Sequence, residues 1–399
     1  GGAHRARRDR HLAAGRGRLM GDYVRQMPHQ GSQGITRGPG LAMRLHIDVP
    51  LLLLLLALTA YGLFVLYSAS GQNMAAVVRQ GRFFLVAYVG MFVAAQINLQ
   101  RYARWAPWLY LAGVGLLVAV ILAGVGAKGA QLWLQLGGFR FQPSEVMKLG
   151  VPLALAWFLA DSTLPPRFLN VLGALGLLGV PAALILLQPD LGTALLIAAS
   201  GLFVLFMAGI GWRYIVGAAV LAVASAWPAW LFVLKDYQKQ RILTLLNPES
   251  DKLGAGWNII QSKTAIGSGG WQGKGWMQGT QSQLDFLPES HTDFIIAVLA
   301  EEQGLQGVLL LVGIYLLILL RGFWIGLRAQ TSFGRMMAGS LTLTFFVYIF
   351  VNMGMVAGLL PVVGVPLPLV SAGGTSVVTL MAGFGILMAI STEQRLVTR

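Results

Sequence analysis

Ten apolar runs lie near residues 49–68, 83–97, 106–125, 144–160, 168–187, 191–209, 214–234, 294–320, 338–358 and 369–390. A helix rises about 1.5 Å per residue, so roughly 20 such residues cross about 30 Å of hydrocarbon. Inside a bilayer only helices and closed barrels satisfy their own backbone. The expected fold is therefore an all-α integral membrane protein of about ten transmembrane helices. Composition points the same way: 56% of the residues are hydrophobic and 11% charged, more apolar surface than a water-soluble globule of 399 residues can hide. The eighth run is too long, and too polar at its start, to be one plain span. "SASG" after the first run resembles a secretory cleavage site, but the apolar stretch is too long for a signal core and nine more runs follow, so it reads as a retained span. With no cysteine, the chain has no disulfides, thiolate catalysis or zinc–cysteine sites.

Basic residues set the expected orientation. Nine arginines from Arg5 to Arg44, against Asp9 and Asp22, predict a cytoplasmic N-terminus, and ten spans return the C-terminus to the same side. Residues 1–45 read as a basic, disordered cytoplasmic leader or as translated sequence upstream of a start near Met43. No folded recognition motif accompanies these arginines, so no nucleic-acid partner is expected. Residues 46–399 form the membrane domain, with a long periplasmic loop at about 235–293 between the seventh and eighth helices.

Several loops placed outside are nevertheless basic, with Arg79 and Arg82 after the first span, Lys128 and Arg140 after the third, and Lys263 and Lys274 in the long loop. Such cations suit an anionic ligand such as a diphosphate, or lipid headgroups. The stretch "GAGWNIIQSKTAIGSGGWQGKGWMQGTQSQ" (254–283) lacks Walker spacing. Its glycines leave backbone N–H groups open to an oxyanion, and Trp257, Trp271 and Trp276 could anchor it or stack on sugars. It reads as a partly re-entrant, substrate-facing loop.

Carboxylates are scarce, 15 in all, yet Glu289, Asp293, Glu301 and Glu302 crowd "FLPESHTDFIIAVLAEEQG" beside His291. "SHTD" has capping-box spacing, with Ser290 as N-cap and Asp293 reaching back. Glu145 follows a helix-initiating proline and has Lys148 one turn on; Asp190 in "LQPDLG" reads as a helix cap. Clustered histidines for metal hydrolysis are missing. On one helix Asp293 and Glu301 would stand about 12 Å apart along the axis, too far for the roughly 5 Å carboxylate pair of a retaining glycosidase. A lone carboxylate beside cations suits attack of a sugar hydroxyl on a donor with a good leaving group, such as a lipid pyrophosphate.

Six stretches carry a resemblance: "YSASGQ", "KGAQLWLQLGGFRFQPSEVMKL", "LQPDLGTALLI", "LNPESDKLGAGWNIIQSKTAIGSGGWQGKGW", "GTQSQLDFLPESHTDFIIAVLAEEQG" and "GLLPVVGVPLPLVSAGGTS". In this order on ten spans the chain resembles the SEDS family (shape, elongation, division and sporulation) over about residues 46–390. "GWNIIQSKTAIGSGG" with "GTQSQ" favours its RodA, or elongation, branch over the division branch. The resemblance implies a peptidoglycan glycosyltransferase of the bacterial inner membrane that joins lipid II units into β-1,4-linked glycan, with inversion and release of undecaprenyl pyrophosphate. It places the family's essential aspartate on Asp293, as base for the acceptor hydroxyl. Arg79, Lys128, Lys263 and Lys274 become candidates for diphosphate and acceptor contacts. Gln142, Ser144, Glu145 and Lys148 match "QPSE...K" as cavity residues, and His291 joins the substrate-binding set. Asp190 stays structural.

The chain departs from the pattern at Leu132, where the family usually has arginine, and at Ala372, where it usually has tyrosine; Ser290 stands where relatives often have arginine. No cofactor is firmly implied, although a divalent cation (Mg or Mn) at the diphosphate would be compatible. By analogy the partner is a class B penicillin-binding transpeptidase within an elongation complex. A lipid II flippase is the rival function and an inactive scaffold the third. A flippase needs a pathway open to both faces, whereas these polar groups gather at the outer one.

Overall fold

The computed structural model describes residues 45–127, 130–136, 139–251, 254–283, 287 and 290–393. The basic leader, Lys128 and Glu289 lie outside the described residues. Ten long helices answer the ten runs: α1 (Val49–Ala69), α2 (Met74–Gln96), α3 (Leu99–Ala123), α4 (Pro143–Ala160), α5 (Phe168–Leu187), α6 (Leu191–Met207) and α7 (Trp212–Pro228), then, beyond the long loop, α11 (Ile295–Arg328), α12 (Ser332–Val356) and α13 (Thr375–Ser391). Seven are long and apolar enough to cross a membrane; α6 and α13 are apolar but 17 residues long, and α4 carries Glu145 and Lys148 near its start. The protein is a multi-pass helical membrane protein.

Four helix starts differ from expectation by six residues or more: α3 at Leu99 and α12 at Ser332 begin ahead of their apolar runs, and α2 and α13 differ as well. Helix α2 begins at Met74, well before the apolar run, because Asn73 caps it by accepting from Ala75 N and Ala76 N. Helix α13 begins at Thr375, since residues 359–374, with prolines at 361, 366 and 368, follow an irregular path. One small sheet joins the helices: β1 (Val125–Ala127), β2 (Ala130–Leu136) and β3 (Phe139–Phe141) form an antiparallel ribbon in the order β1-β2-β3, with Ala127 opposite Ala130 and Leu136 opposite Phe139.

Helix α13 lies along α2, α3 along α4, α12 along α6, and α11 against both α12 and α1. An edge-to-face chain of Tyr315, Phe345 and Phe384, with centroids 5.7 and 5.1 Å apart, joins α11, α12 and α13. The Tyr315 hydroxyl donates to Pro368 O at 2.8 Å, which fixes the irregular segment from below. Helix α7 buries none of its residues.

Asp48 clasps one end of the bundle. It caps α1 through Leu51 N and takes a bidentate pair from Arg321 (Nε to Oδ1 3.0 Å, NH2 to Oδ2 2.7 Å) plus the Ser391 hydroxyl at 2.8 Å. Burial pushes its pKa up, but these donors outweigh that and hold it below the ordinary carboxylate value. His46 Nδ1 also meets Thr392 Oγ1 at 3.0 Å. The start of α1 and the end of α13 therefore sit together.

The long loop is largely helical: α8 (Asp236–Leu246), a 3-10 turn (Pro248–Ser250), α9 (Ala255–Gly269) and α10 (Thr280–Gln283). Helix α9 packs on α11, and Ser262 Oγ donates to Val356 O at 2.9 Å. The overlong eighth run proves to be a broken helix. At Gly304 the backbone of α11 turns non-helical (φ 65°, ψ −160°). The break leaves carbonyls and N–H groups without their usual partners four residues away. The glycine-rich loop supplies partners: Lys274 N and Gly275 N donate to Glu301 O and Glu302 O, both at 2.9 Å, while Leu305 N and Gln306 N donate to Gly270 O and Trp271 O at 3.0 and 3.3 Å. The N–H groups of Lys274 and Gly275, expected to be open to an oxyanion, are thus consumed by the broken helix. Trp276 stacks on Phe64 of α1, centroids 4.9 Å apart, and anchors the same loop.

Candidate active site

Asp293 stands in a turn before α11, not on the helix. The helix opens at Ile295 after Phe294, with no side-chain cap. Ser290 Oγ donates instead to Ala69 O at 3.2 Å, and the helix starts too late for Ser290 to be its N-cap, so the expected capping box does not form. The 12 Å axial separation expected from Glu301 lapses with it, because the two residues do not share one helix.

The turn is clipped to the irregular 359–374 segment through backbone groups. Asn352 of α12, fully buried, donates through Nδ2 to both Asp293 O and Val365 O at 2.8 Å. Ser371 Oγ donates to Thr292 O at 2.5 Å and accepts from Leu367 N, while Ala372 N donates to His291 O at 3.0 Å. Ala372, where the family has tyrosine, therefore serves the site through its main chain. The Asp293 carboxylate lies beside Gly364: a Cβ there would be 3.7 Å from Oδ2.

Gly364 also lines a cavity of about 800 Å³. Its other walls include Trp133 and Leu132 of β2, Gln142, Glu145 and Lys148 at the start of α4, Asp190 and Thr193 at the start of α6, and Thr375 and Ser376 of α13. Pro143 and Asp190 sit where a proline and an acid start helices, so the first turns of α4 and α6 meet here. Asp190 caps α6 through Thr193 N at 3.0 Å and also accepts from Gln142 Nε2 at 3.3 Å. The Lys148 ammonium pairs with Glu145 Oε1 at 2.7 Å and lies 5.5 Å from the Tyr348 ring centroid. Glu145 Oε2 and Ser144 Oγ are buried without a protein partner, the state of groups that await water or a ligand. An apolar cavity of about 610 Å³ shares Phe83, Glu145 and Thr375 with this one and runs on between α2, α3, α4 and α13, past Val86, Leu149 and Val378.

The structure therefore brings Gln142, Glu145 and Lys148 together with Asp190, with Ser144 behind them and Asp293 at the Gly364 wall. It does not bring the other expected cations there. Lys274 pairs with Glu301 Oε1 at 2.7 Å and with Thr280 Oγ1 at 2.8 Å. Glu301 accepts further from Thr280 N and Gln281 N, and Glu302 accepts from Ser68 Oγ at 2.6 Å. Those two acids bind the loop and α1 to the broken helix. Lys263 lays its side chain over Gly358, and Arg79 is exposed on α2. Leu132 occupies the wall where the family carries arginine, so Lys148 is the single cation among the described lining residues. Among the described residues, no three His, Asp or Glu side chains gather to hold a metal ion.

Sequence reasoning missed Asn352 and Ser371, which position the turn, and treated Asp190 as structural alone. A signal existed: 359–374 is glycine- and proline-rich in an apolar chain, and irregular backbone at membrane depth persists only where protein buries it or it lines a cavity. Asn352→Ala removes a donor shared by two carbonyls and loosens the turn. Displacement of a reacting group by about 1 Å is worth on the order of 10²-fold in rate, whereas the lost hydrogen bonds cost about 1–3 kcal/mol of stability. Initial rates of glycan synthesis beside thermal unfolding of the same preparation check that split.

The model for the cell cycle protein family of FtsW, RodA and SpoVE matches residues 49–396. The peptidoglycan glycosyltransferase MrdB of Escherichia coli is 55% identical over 357 residues, covering 89% of this chain and 96% of its own. A probable peptidoglycan glycosyltransferase FtsW of Trichlorobacter lovleyi is 38% identical, covering 88% and 94%. Among solved structures, a chain from a peptidoglycan synthase complex that coordinates polymerization and crosslinking superposes with a TM-score of 0.76 at 32% identity, covering 86% of this chain and 97% of that one. Thermus thermophilus RodA superposes at 0.65 with 30% identity, covering 86% and 96%. With the family model matched over residues 49–396 and a relative 55% identical over 89% of the chain, the chain belongs to the FtsW/RodA/SpoVE family of SEDS proteins.

Proposed function

We propose that the chain is a peptidoglycan glycosyltransferase of the RodA branch that polymerises lipid II at the cavity beside Asp293. The observation that carries this reading is the junction of two cavities, one polar and one apolar, at Phe83, Glu145 and Thr375. A lipid-linked sugar diphosphate needs both: an apolar path for its polyprenyl chain and a polar chamber for its sugars and phosphates.

Within that chamber Asp293 takes the proton of the acceptor hydroxyl as the sugar oxygen attacks the donor's anomeric carbon from the face opposite the diphosphate, which inverts the centre. The diphosphate leaves as an anion, so no general acid is needed. Lys148 carries the charge that steadies it, held in place by Glu145, and the orphaned Glu145 Oε2 is available to a sugar hydroxyl. The chamber faces the periplasm of a bacterial inner membrane, with both chain termini cytoplasmic. The partner is a class B penicillin-binding transpeptidase.

Purified protein given labelled lipid II, with and without that partner, tests the reading. Lysozyme-sensitive polymer is the expected product; transbilayer movement of lipid II without polymer would make the chain a flippase. An EDTA arm decides whether a divalent cation accompanies the diphosphate.

A further inference from the structure

A second polar cavity, of about 760 Å³, opens at the other end of the bundle, among the last turns of α11 and α13 and the start of α12. It lies far from Asp293, which precedes the opposite end of α11, and nothing in the proposed chemistry uses it. Three guanidinium groups line it: Arg321, Arg328 and Arg335. Arg321 is committed to Asp48, which neutralises it. The Arg328 guanidinium lies over the Trp324 ring, 4.1 Å from the centroid, a contact that does not cancel its charge. Arg335 is exposed, and no carboxylate among the described residues pairs with it.

Among the described lining residues the one acid is Glu393, whose Oε2 is buried without a partner. Burial pushes its carboxyl pKa up. The rim is apolar: Leu327 is 79% exposed and Trp324 46%. These two stand at the end of a membrane span, where acyl chains and headgroups meet. A basic hollow between helix ends, with guanidinium groups inside and an apolar rim, has the chemistry of a headgroup site, whereas a soluble phosphate would draw nothing from that rim.

We propose that the cavity among Arg328, Arg335 and Trp324 binds the phosphodiester headgroup of an acidic phospholipid, with one acyl chain lying against Leu327. Arg328 and Arg335 supply the charge, and Trp324 meets the Arg328 guanidinium with its ring face.

Titration of the full-length protein in detergent with phosphatidylglycerol or phosphatidylcholine, read by native mass spectrometry, tests this. The parent should bind one phosphatidylglycerol on the order of 20-fold more tightly than phosphatidylcholine, as expected for two interfacial arginines. The double variant R328Q/R335Q should lose that preference. Either single substitution should lose about fivefold of it, which carries the test should the double variant not stay monodisperse. Arg213→Gln, on the exposed start of α7, is the control and should change nothing. Equal binding of the two lipids, an unchanged preference in the arginine variants, or full displacement of phosphatidylglycerol by glycerol phosphate alone would overturn the proposal.

Discussion

Gly304→Ala is expected to remove most of the folded protein. At φ 65° and ψ −160° the residue occupies backbone space that is essentially glycine's alone, and a side chain there costs about 1–3 kcal/mol. A Cβ would also overlap Gly273 N and Trp271 O of the loop that crosses the break. Overpacking against backbone adds about 1–3 kcal/mol. The loop cannot retreat without surrendering its hydrogen bonds to Glu301 O and Glu302 O, and with them the Lys274–Glu301 pair. The sum, about 2–6 kcal/mol, is a large part of the roughly 5–15 kcal/mol that holds a typical domain together. The yield of monodisperse protein and its unfolding temperature in detergent report the effect, and a variant as stable as the parent would show that the break tolerates a side chain.

Asp293→Asn is expected to leave the fold intact and stop the chemistry. The turn is held by Asn352, Ser371 and Ala372 through the backbone of residues 291–293, so replacing the carboxylate with its isosteric amide leaves those bonds in place. An amide cannot accept the hydroxyl proton. Loss of a general base lowers the rate by about 10²–10⁴-fold. The diphosphate remains a good leaving group in the variant, so the lost rate reflects proton removal and not bond cleavage.

Reading spans from the sequence succeeded wherever apolar length decided the outcome. α1, α4, α5 and α6 begin within a residue of the runs that predict them. The α2 boundary was hidden because Arg79, Gln80 and Arg82 interrupt the hydropathy of a helix that Asn73 nonetheless starts. The Gly304 break showed only as a run too long for one span, since glycine in a helical pattern does not announce its φ.

The site was legible in part for a similar reason. Gln142, Ser144, Glu145 and Lys148 share one helix start, so their sequence spacing already places them together. Lys274 and Glu301 stand 27 residues apart, and only the tertiary fold pairs them. A cation's sign is written in the sequence, whereas its partner is not. Asn352, a neutral residue within a span, became visible only through the two carbonyls it joins.

The most direct measurement compares initial lipid II polymerisation with lipid II binding in the parent and in Asp293→Asn, under one set of conditions and with the same partner. A rate reduced at least about 100-fold, with binding within a few-fold of the parent, is the result expected of a base that acts only as the sugar–oxygen bond forms. Undiminished polymer synthesis by the asparagine protein would contradict the account at its centre.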